Sequence, residues 1–241
     1  MNRETLILDR FDGSEVTDAM LQQASILFNE HYGVWSRDPM NHQTVPKPGS
    51  RVKMSPQRLR AQCLPDGVEC LYVMATIEGQ LAGNAFACPW KVQNKVVSWI
   101  TQLVVHTKFR RRSLAVSLLN FLRRPDDNIY GIMSSQPVAC LAAAKAFRSG
   151  INSLSAGFIR ENADNVMKLS PVDYVRNAQL RGSLFDAIDS TGAVSSVFTN
   201  FFVDHAEPLR ALDLVRQGLD WPLGELLEGH EFLLMIEARI R

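Results

Sequence analysis

A chain of 241 residues, 46% apolar and 21% charged, has the material for one large domain with a buried core, which excludes wholesale disorder. Its formal net charge of +1 excludes a protein that coats nucleic acid through bulk phosphate attraction. Cys63, Cys70, Cys88 and Cys140 form no CxxC pair, and neither a leading signal segment nor a run of ~18 apolar residues stands out; a cytoplasmic protein with reduced, buried thiols, no metal site and no membrane partner is expected.

In chain order, Leu6–Leu8 reads as a short strand, and Asp12 with Glu15 has the spacing of a capping box. The helix expected after it runs to about Tyr32, with Val16, Met20, Leu27 and Phe28 on one face. Pro39, Pro46, Pro48 and Gly49 then interrupt regular structure, and a loop of this length is either a lid or plain surface. Ser55–Leu64 reads as a helix with Pro56 at its first position. Glu69–Ile77, Leu81–Cys88 and Val96–Val105 read as three antiparallel strands, the first two joined through Glu78-Gly79-Gln80.

Ser113–Leu122 is expected as a helix with Leu114, Leu118, Leu119 and Leu122 as its apolar stripe. A brief strand, Ile129–Met133, and an alanine-rich helix, Pro137–Phe147, follow. Beyond Gly150, Phe158–Lys168 and Tyr174–Ile188 read as helices of an insertion over 151–193. The remainder, 194–241, reads as a strand Val194–Val203, a helix opened by Glu207-Pro208, and a last strand Phe232–Ile236. This is an α/β or α+β order in one domain, 1–241, without internal repeats.

The chemistry concentrates after the third central strand. Lys108, Arg110, Arg111 and Arg112 are followed at once by Ser113-Leu114-Ala115 at a helix start. A helix N-terminus offers unpaired N–H groups and partial positive charge, and small residues let an anion approach the backbone. Arginines beside it add charge-assisted contacts, so a pyrophosphate-like group is the implied ligand; a solvated surface turn is the other reading.

Leu103-Val104-Val105-His106, then Phe109 to Ala115, then Leu118-Leu119 resembles the acetyl-CoA-binding motif of the GNAT acetyltransferase superfamily: an apolar strand, a turn, [Gln/Arg]-x-x-Gly-x-[Gly/Ala] and a helix. Arg110 matches the first position of that signature and Ala115 the last. The resemblance implies a mixed, mostly antiparallel sheet flanked by helices, with an insertion before the last two strands. It implies that N–H groups from Arg111 to Ala115 hold the CoA pyrophosphate, and that Leu103 and Val105 offer main-chain contacts to the pantetheine arm and acyl carbonyl. Family-like order covers about 16–147, and the whole chain is similar to a group of fungal GNAT-like proteins.

Three positions depart from the pattern. Ser113 stands where the family prefers glycine, a place a serine fills without strain if its φ is negative. Gln102 stands where many members carry a general-base Glu, and an amide cannot accept a proton. Ala143 stands where many carry a Tyr that protonates the thiolate. Replacement candidates are His205, beside Asp204, as a base, and Tyr130 as an acid; the bland reading buries Tyr130 in the core. His31-Tyr32, Trp35 and Trp90 are candidate walls of an acceptor pocket, or ordinary cap and core residues.

The expected function is acyl transfer, with acetyl-CoA or another acyl-CoA as co-substrate and a small-molecule amine attacking directly, in a monomer or homodimer. The alternatives are a GNAT-fold enzyme of specialised metabolism that no longer acetylates, and a non-catalytic acyl-CoA-binding protein.

Overall fold

The computed structural model describes residues 5–37, 47–147 and 150–238. Pro39 and Pro46, and with them most of the expected lid, lie outside the described residues. The eight strands are β1 (Leu6–Asp12), β2 (Leu71–Ile77), β3 (Gln80–Val92), β4 (Lys95–Val105), β5 (Asp127–Ser134), β6 (Gln179–Arg181), β7 (Ser196–Phe198) and β8 (His230–Glu237). They form one sheet in the order β1-β2-β3-β4-β5-β8-β7-β6. Only β4 and β5 run parallel among its neighbours. The helices are α1 (Asp18–His31), α2 (Pro56–Cys63), α3 (Leu114–Leu122), α4 (Pro137–Ala146), α5 (Ala156–Lys168), α6 (Asp173–Arg176) and α7 (Ala206–Gly218). The mixed, mostly antiparallel sheet flanked by helices, expected from the GNAT resemblance, is the fold this chain adopts.

The two faces of the sheet follow from period-two alternation. Val73, Ala75, Ala85, Ala87 and Ile100 point to one side, where the alanines leave room for α3 and α4 to sit close. All four stripe leucines of α3 are buried there, each contributing roughly 1.5–3 kcal/mol of transfer free energy. Tyr72, Phe86, Trp90, Val97 and Trp99 point to the other side, under α1, α2 and α5. Trp90 is anchored in this core by its indole N–H, which donates to the Val166 carbonyl at 3.1 Å.

Two irregularities make a site possible. The β3–β4 register pairs Phe86 with Gln102 but Ala87 with Ile100, so Thr101 is the extra residue of a β-bulge. β4 pairs with β5 only over Val96–Ile100, although it continues to Val105. The two central strands therefore part just beyond the bulge.

Several element boundaries differ from the sequence reading. The Asp12–Glu15 box is real, with the Glu15 carboxylate accepting from the Asp12 N–H at 2.8 Å, but it closes a short 3-10 turn. α1 itself starts later, capped by the Thr17 hydroxyl, which accepts from the Met20 N–H at 3.3 Å. The expected helix Tyr174–Ile188 is only the four-residue α6, followed by the edge strand β6; Gly182, with φ +99°, turns the chain where a helix would have to continue. The insertion is therefore mixed rather than helical. Val194–Val203 pairs as a strand only over Ser196–Phe198, because Asn200 has φ +56° and redirects the chain; Val203 then bridges to Trp35.

Candidate active site

β4 delivers the chain into a tight loop. The His106 imidazole accepts from the Lys108 N–H at 3.1 Å and caps a 3-10 turn over Thr107–Phe109. Phe109 is buried and pins the loop to the core, while Lys108 and Arg112 lie 5.1 and 5.5 Å from its ring centroid. Arg111 and Ser113 both have positive φ, +63° and +59°, on either side of Arg112. Left-handed residues interspersed in this way curl successive N–H groups into an anion-binding concavity. α3 starts immediately after, adding the unpaired donors and dipole of its first turn.

The negative φ at which Ser113 would sit without strain is not what the fold imposes. The backbone retains the left-handed geometry that favours glycine, at a cost of about 1–2 kcal/mol for a residue with a Cβ. Ser113 is exposed and its side chain caps nothing in the helix, so little offsets that cost. We expect Ser113→Gly to raise unfolding free energy by about 1 kcal/mol; a urea titration showing destabilisation would contradict this.

Arg110 does not aim its side chain at the concavity. Its guanidinium donates to the Val105 carbonyl at 3.3 Å, to the His31 carbonyl at 2.6 Å and to the Glu207 carboxylate at 2.6 Å. It ties the end of β4 to the C-terminus of α1 and the start of α7, and its own N–H donates to the Thr107 carbonyl at 3.4 Å. The His31 and His106 rings lie 3.9 Å apart beside it. Burial, then the neighbouring His106, lowers the His31 pKa, with Arg110 adding to the effect against a rise from Glu30. Arg111 and Arg112 remain exposed at the loop's rim.

Between loop and bulge, β4 has a free edge. The His106 N–H bonds the Ala82 carbonyl on the β3 side, so alternation turns the main-chain groups of Leu103 and Val105 toward the side that β5 has left. The Val105 carbonyl is taken by Arg110. By the same alternation Val104 bonds β3, and its side chain packs with Leu27, Phe28, Val52 and Val203 on the α1 face. Val104 therefore belongs to the packing under α1 and leaves the free edge to Leu103 and Val105.

Gln102 is buried beside the bulge, with its amide nitrogen 3.9 Å from the Met54 sulfur and its carbonyl oxygen without a partner among the described residues. The Tyr174 hydroxyl donates to the Thr101 carbonyl at 2.9 Å. Tyr32, at the end of α1, stacks on Phe28 at 4.3 Å, and Trp35 meets Phe201 edge-on at 5.1 Å. These aromatics form the wall on the α1 side of the parted strands. Trp90 belongs to the core.

Both other acid–base candidates are buried. Tyr130 is buried near the start of β5, opposite Ser98 and flat against Phe147 at 3.8 Å, where β4 and β5 are still paired. His205 lies at the start of α7, 3% exposed, and burial pushes its pKa down to about 4 against the raising effect of Asp204. A histidine this reluctant to take a proton is a poor base at neutral pH. Ala143 is wholly buried on α4, with no hydroxyl to offer.

Sequence reasoning passed over Glu231. It is the second residue of β8, immediately before the apolar run that marks the strand, and a charged residue at the edge of such a run was the available signal. It is 9% exposed, and burial raises its pKa to about 7 despite the Thr199 hydroxyl bonding the carboxylate. A groove of about 880 Å3 lies between α1, α2 and residues 171–174, with Tyr174 among its walls.

No protein-family model and no curated protein matches the sequence. Solved structures that it resembles include an aminoglycoside acetyltransferase from an uncultured soil metagenomic sample, 22% identical, with a TM-score of 0.33 over 49% of this chain and 69% of that one. An aminoglycoside 6'-N-acetyltransferase complexed with coenzyme A is 16% identical, with a TM-score of 0.36 over 53% of this chain and 61% of that one. The Escherichia coli ribosomal-protein-S18-alanine N-acetyltransferase is 12% identical, with a TM-score of 0.38 over 58% of this chain and 76% of that one. The matched part thus spans under two thirds of the coenzyme A complex, and at these scores the likeness says nothing of substrate or mechanism.

Proposed function

We propose that this chain, which has the fold of the GNAT superfamily, is an acyl-CoA-dependent N-acyltransferase that moves an acetyl group to an amine of a small molecule. The observation that supports it most is the continuity of three features along one stretch of backbone. The free edge of β4 runs into the curled loop at Arg111–Ser113, and the loop runs into the N-terminus of α3.

An extended ligand with a pyrophosphate at one end fits that order. N–H groups from Arg111 to Ala115 would hold the pyrophosphate, and Ala115 leaves room for its approach. Arg111 and Arg112 add positive charge at the rim. Leu103 would bond the pantetheine amides along the free edge, as a missing strand would, and its N–H would lie near the acyl carbonyl. The parted strands let an amine reach the carbonyl carbon from the α1 face, past Gln102 and Tyr174. Holding both reactants there is itself worth about 7–11 kcal/mol of barrier.

Small size of the acceptor accords with the walls that Tyr32, Trp35 and Phe201 build on that face. The neutral Gln102 and Ala143 at the usual proton-transfer positions favour the second reading, an acyl-CoA-binding protein without turnover.

Acetyl-CoA and a library of primary amines, with free thiol and acetylated product followed together, separate the two. We expect thiol and a mono-acetylated amine in equal amounts, above the uncatalysed background. Binding of acetyl-CoA without thiol release on any amine would establish the second reading instead.

A further inference from the structure

The acyl-transfer reading leaves the amine proton without an acceptor, because Gln102 is an amide and the buried His205 resists protonation. Glu231 is a buried carboxylate near the end of β5. β5 pairs with β8 up to Ser134 and Phe232, so Glu231, the second residue of β8 and the partner of Val197 in β7, lies beside the end of β5, the end that has separated from β4. Phe232, Leu234 and Ile236 pack on the α3 and α4 side, whereas Leu233 and Met235 pack on the other. Alternation puts Glu231 with Leu233, on the face that carries Gln102 and the aromatic walls.

The groups that feel its charge show how central it is. Tyr32 from the end of α1 and Tyr174 from α6 lie on the proposed acceptor face, and Cys140 from α4 lies on the opposite one; the Glu231 carboxylate raises the pKa of all three. Among the described residues no cation pairs with it, and the nearby Thr199 hydroxyl offsets the effect of burial only in part. A structural carboxylate buried to this degree ordinarily has an arginine or lysine partner. Its pKa of about 7 matches what a general base working at neutral pH requires.

We propose that the Glu231 carboxylate is the catalytic base that takes the proton from the attacking amine. The inference rests on the acyl-transfer reading. As the amine nitrogen bonds to the thioester carbonyl carbon, its proton passes to Glu231. The C–S bond breaks, the sulfur leaves with the electron pair, and the proton held on Glu231 passes to that sulfur directly or through water, restoring the carboxylate. One residue thereby does the work of both the missing Glu at position 102 and the missing Tyr at position 143.

The test uses the full chain, with acetyl-CoA and n-propylamine as probes, in wild type, Glu231→Gln and Glu231→Asp. Calorimetry with CoA is run on each variant, and thiol release is followed from pH 5 to 9. We expect CoA affinity to be equal in all three, wild-type turnover to rise with pH through about 7, and Glu231→Gln to lose about 100-fold with that inflection gone. Glu231→Asp should keep the inflection at a reduced rate. Carbon-13 NMR of glutamate-labelled protein should show one carboxyl titrating near 7, absent from Glu231→Gln.

Normal CoA binding with an unchanged rate and pH profile in Glu231→Gln would overturn the assignment and leave acyl transfer standing. CoA binding without wild-type turnover would overturn the base and transfer together. Failure of the wild type to bind CoA would remove the site itself.

Discussion

Gly131→Ala is expected to lower unfolding free energy by about 3 kcal/mol. A Cβ at this position would overlap the Cε3 and Cζ3 atoms of the Trp99 indole, which crosses β5 there. Trp99 is fully buried and packed at 5.7 Å against Trp90, itself fastened to Val166, so the indole has no room to retreat. Overfilling a close-packed core costs about 1–3 kcal/mol, and the value expected here is at the upper end because the obstructing group is a rigid ring. Gly131 pairs with Trp99 one residue before the last β4–β5 pair, so any shift that relieves the clash also changes how the strands part. CoA affinity should fall along with stability. Urea unfolding that finds a loss below 1 kcal/mol would show that this contact is not a tight one.

Glu231→Gln should have the opposite sign. The folded carboxyl holds its proton up to about pH 7, whereas an unfolded glutamate releases it near 4.5. The protonated form is favoured by burial, so this contribution is fully present below 4.5 and is lost as pH rises to 7. By pH 8 the buried charge costs about 3 kcal/mol, which a glutamine does not incur. The melting temperatures of variant and wild type should therefore coincide near pH 4.5 and separate in favour of the variant by pH 8. Equal curves across this range would mean that the carboxylate is stabilised by a partner when charged. His205 acts in reverse: its pKa of about 4 lies below the ordinary 6.5, so its contribution is present above 6.5 and lost as pH falls toward 4.

Much of this arrangement was legible in the residues because it depends on local periodicity. The leucine stripe of α3, the alanines of α4 and the meander from β2 to β4 each follow from spacing and turn chemistry. The cation-rich loop before a helix start was equally visible. What escaped depends on contacts far apart in the chain. Nothing local says that Arg110 is occupied by Val105, His31 and Glu207, the last 97 residues away. The φ of Ser113 is imposed by the loop between a pinned Phe109 and the start of α3, which overrides the preference of a serine. β6 forms because β7 offers it an edge, and the pattern of its three residues is too short to signal a strand. The setting of Glu231 depends on β8 pairing with β5, a contact between distant parts of the chain.

Titration calorimetry with CoA, on the wild type and on a variant carrying Arg111→Glu with Arg112→Glu, addresses the proposed site at its root. Both side chains are exposed at the rim of the loop, so the double variant should fold and melt much like the wild type. We expect saturable micromolar binding to the wild type, weakened at least about tenfold in the variant, in keeping with the loss of charge-assisted phosphate contacts and the introduction of like charge. Equal affinity in the two proteins, or no heat with the wild type at millimolar CoA, would mean that the loop at Arg111–Ala115 does not hold a pyrophosphate.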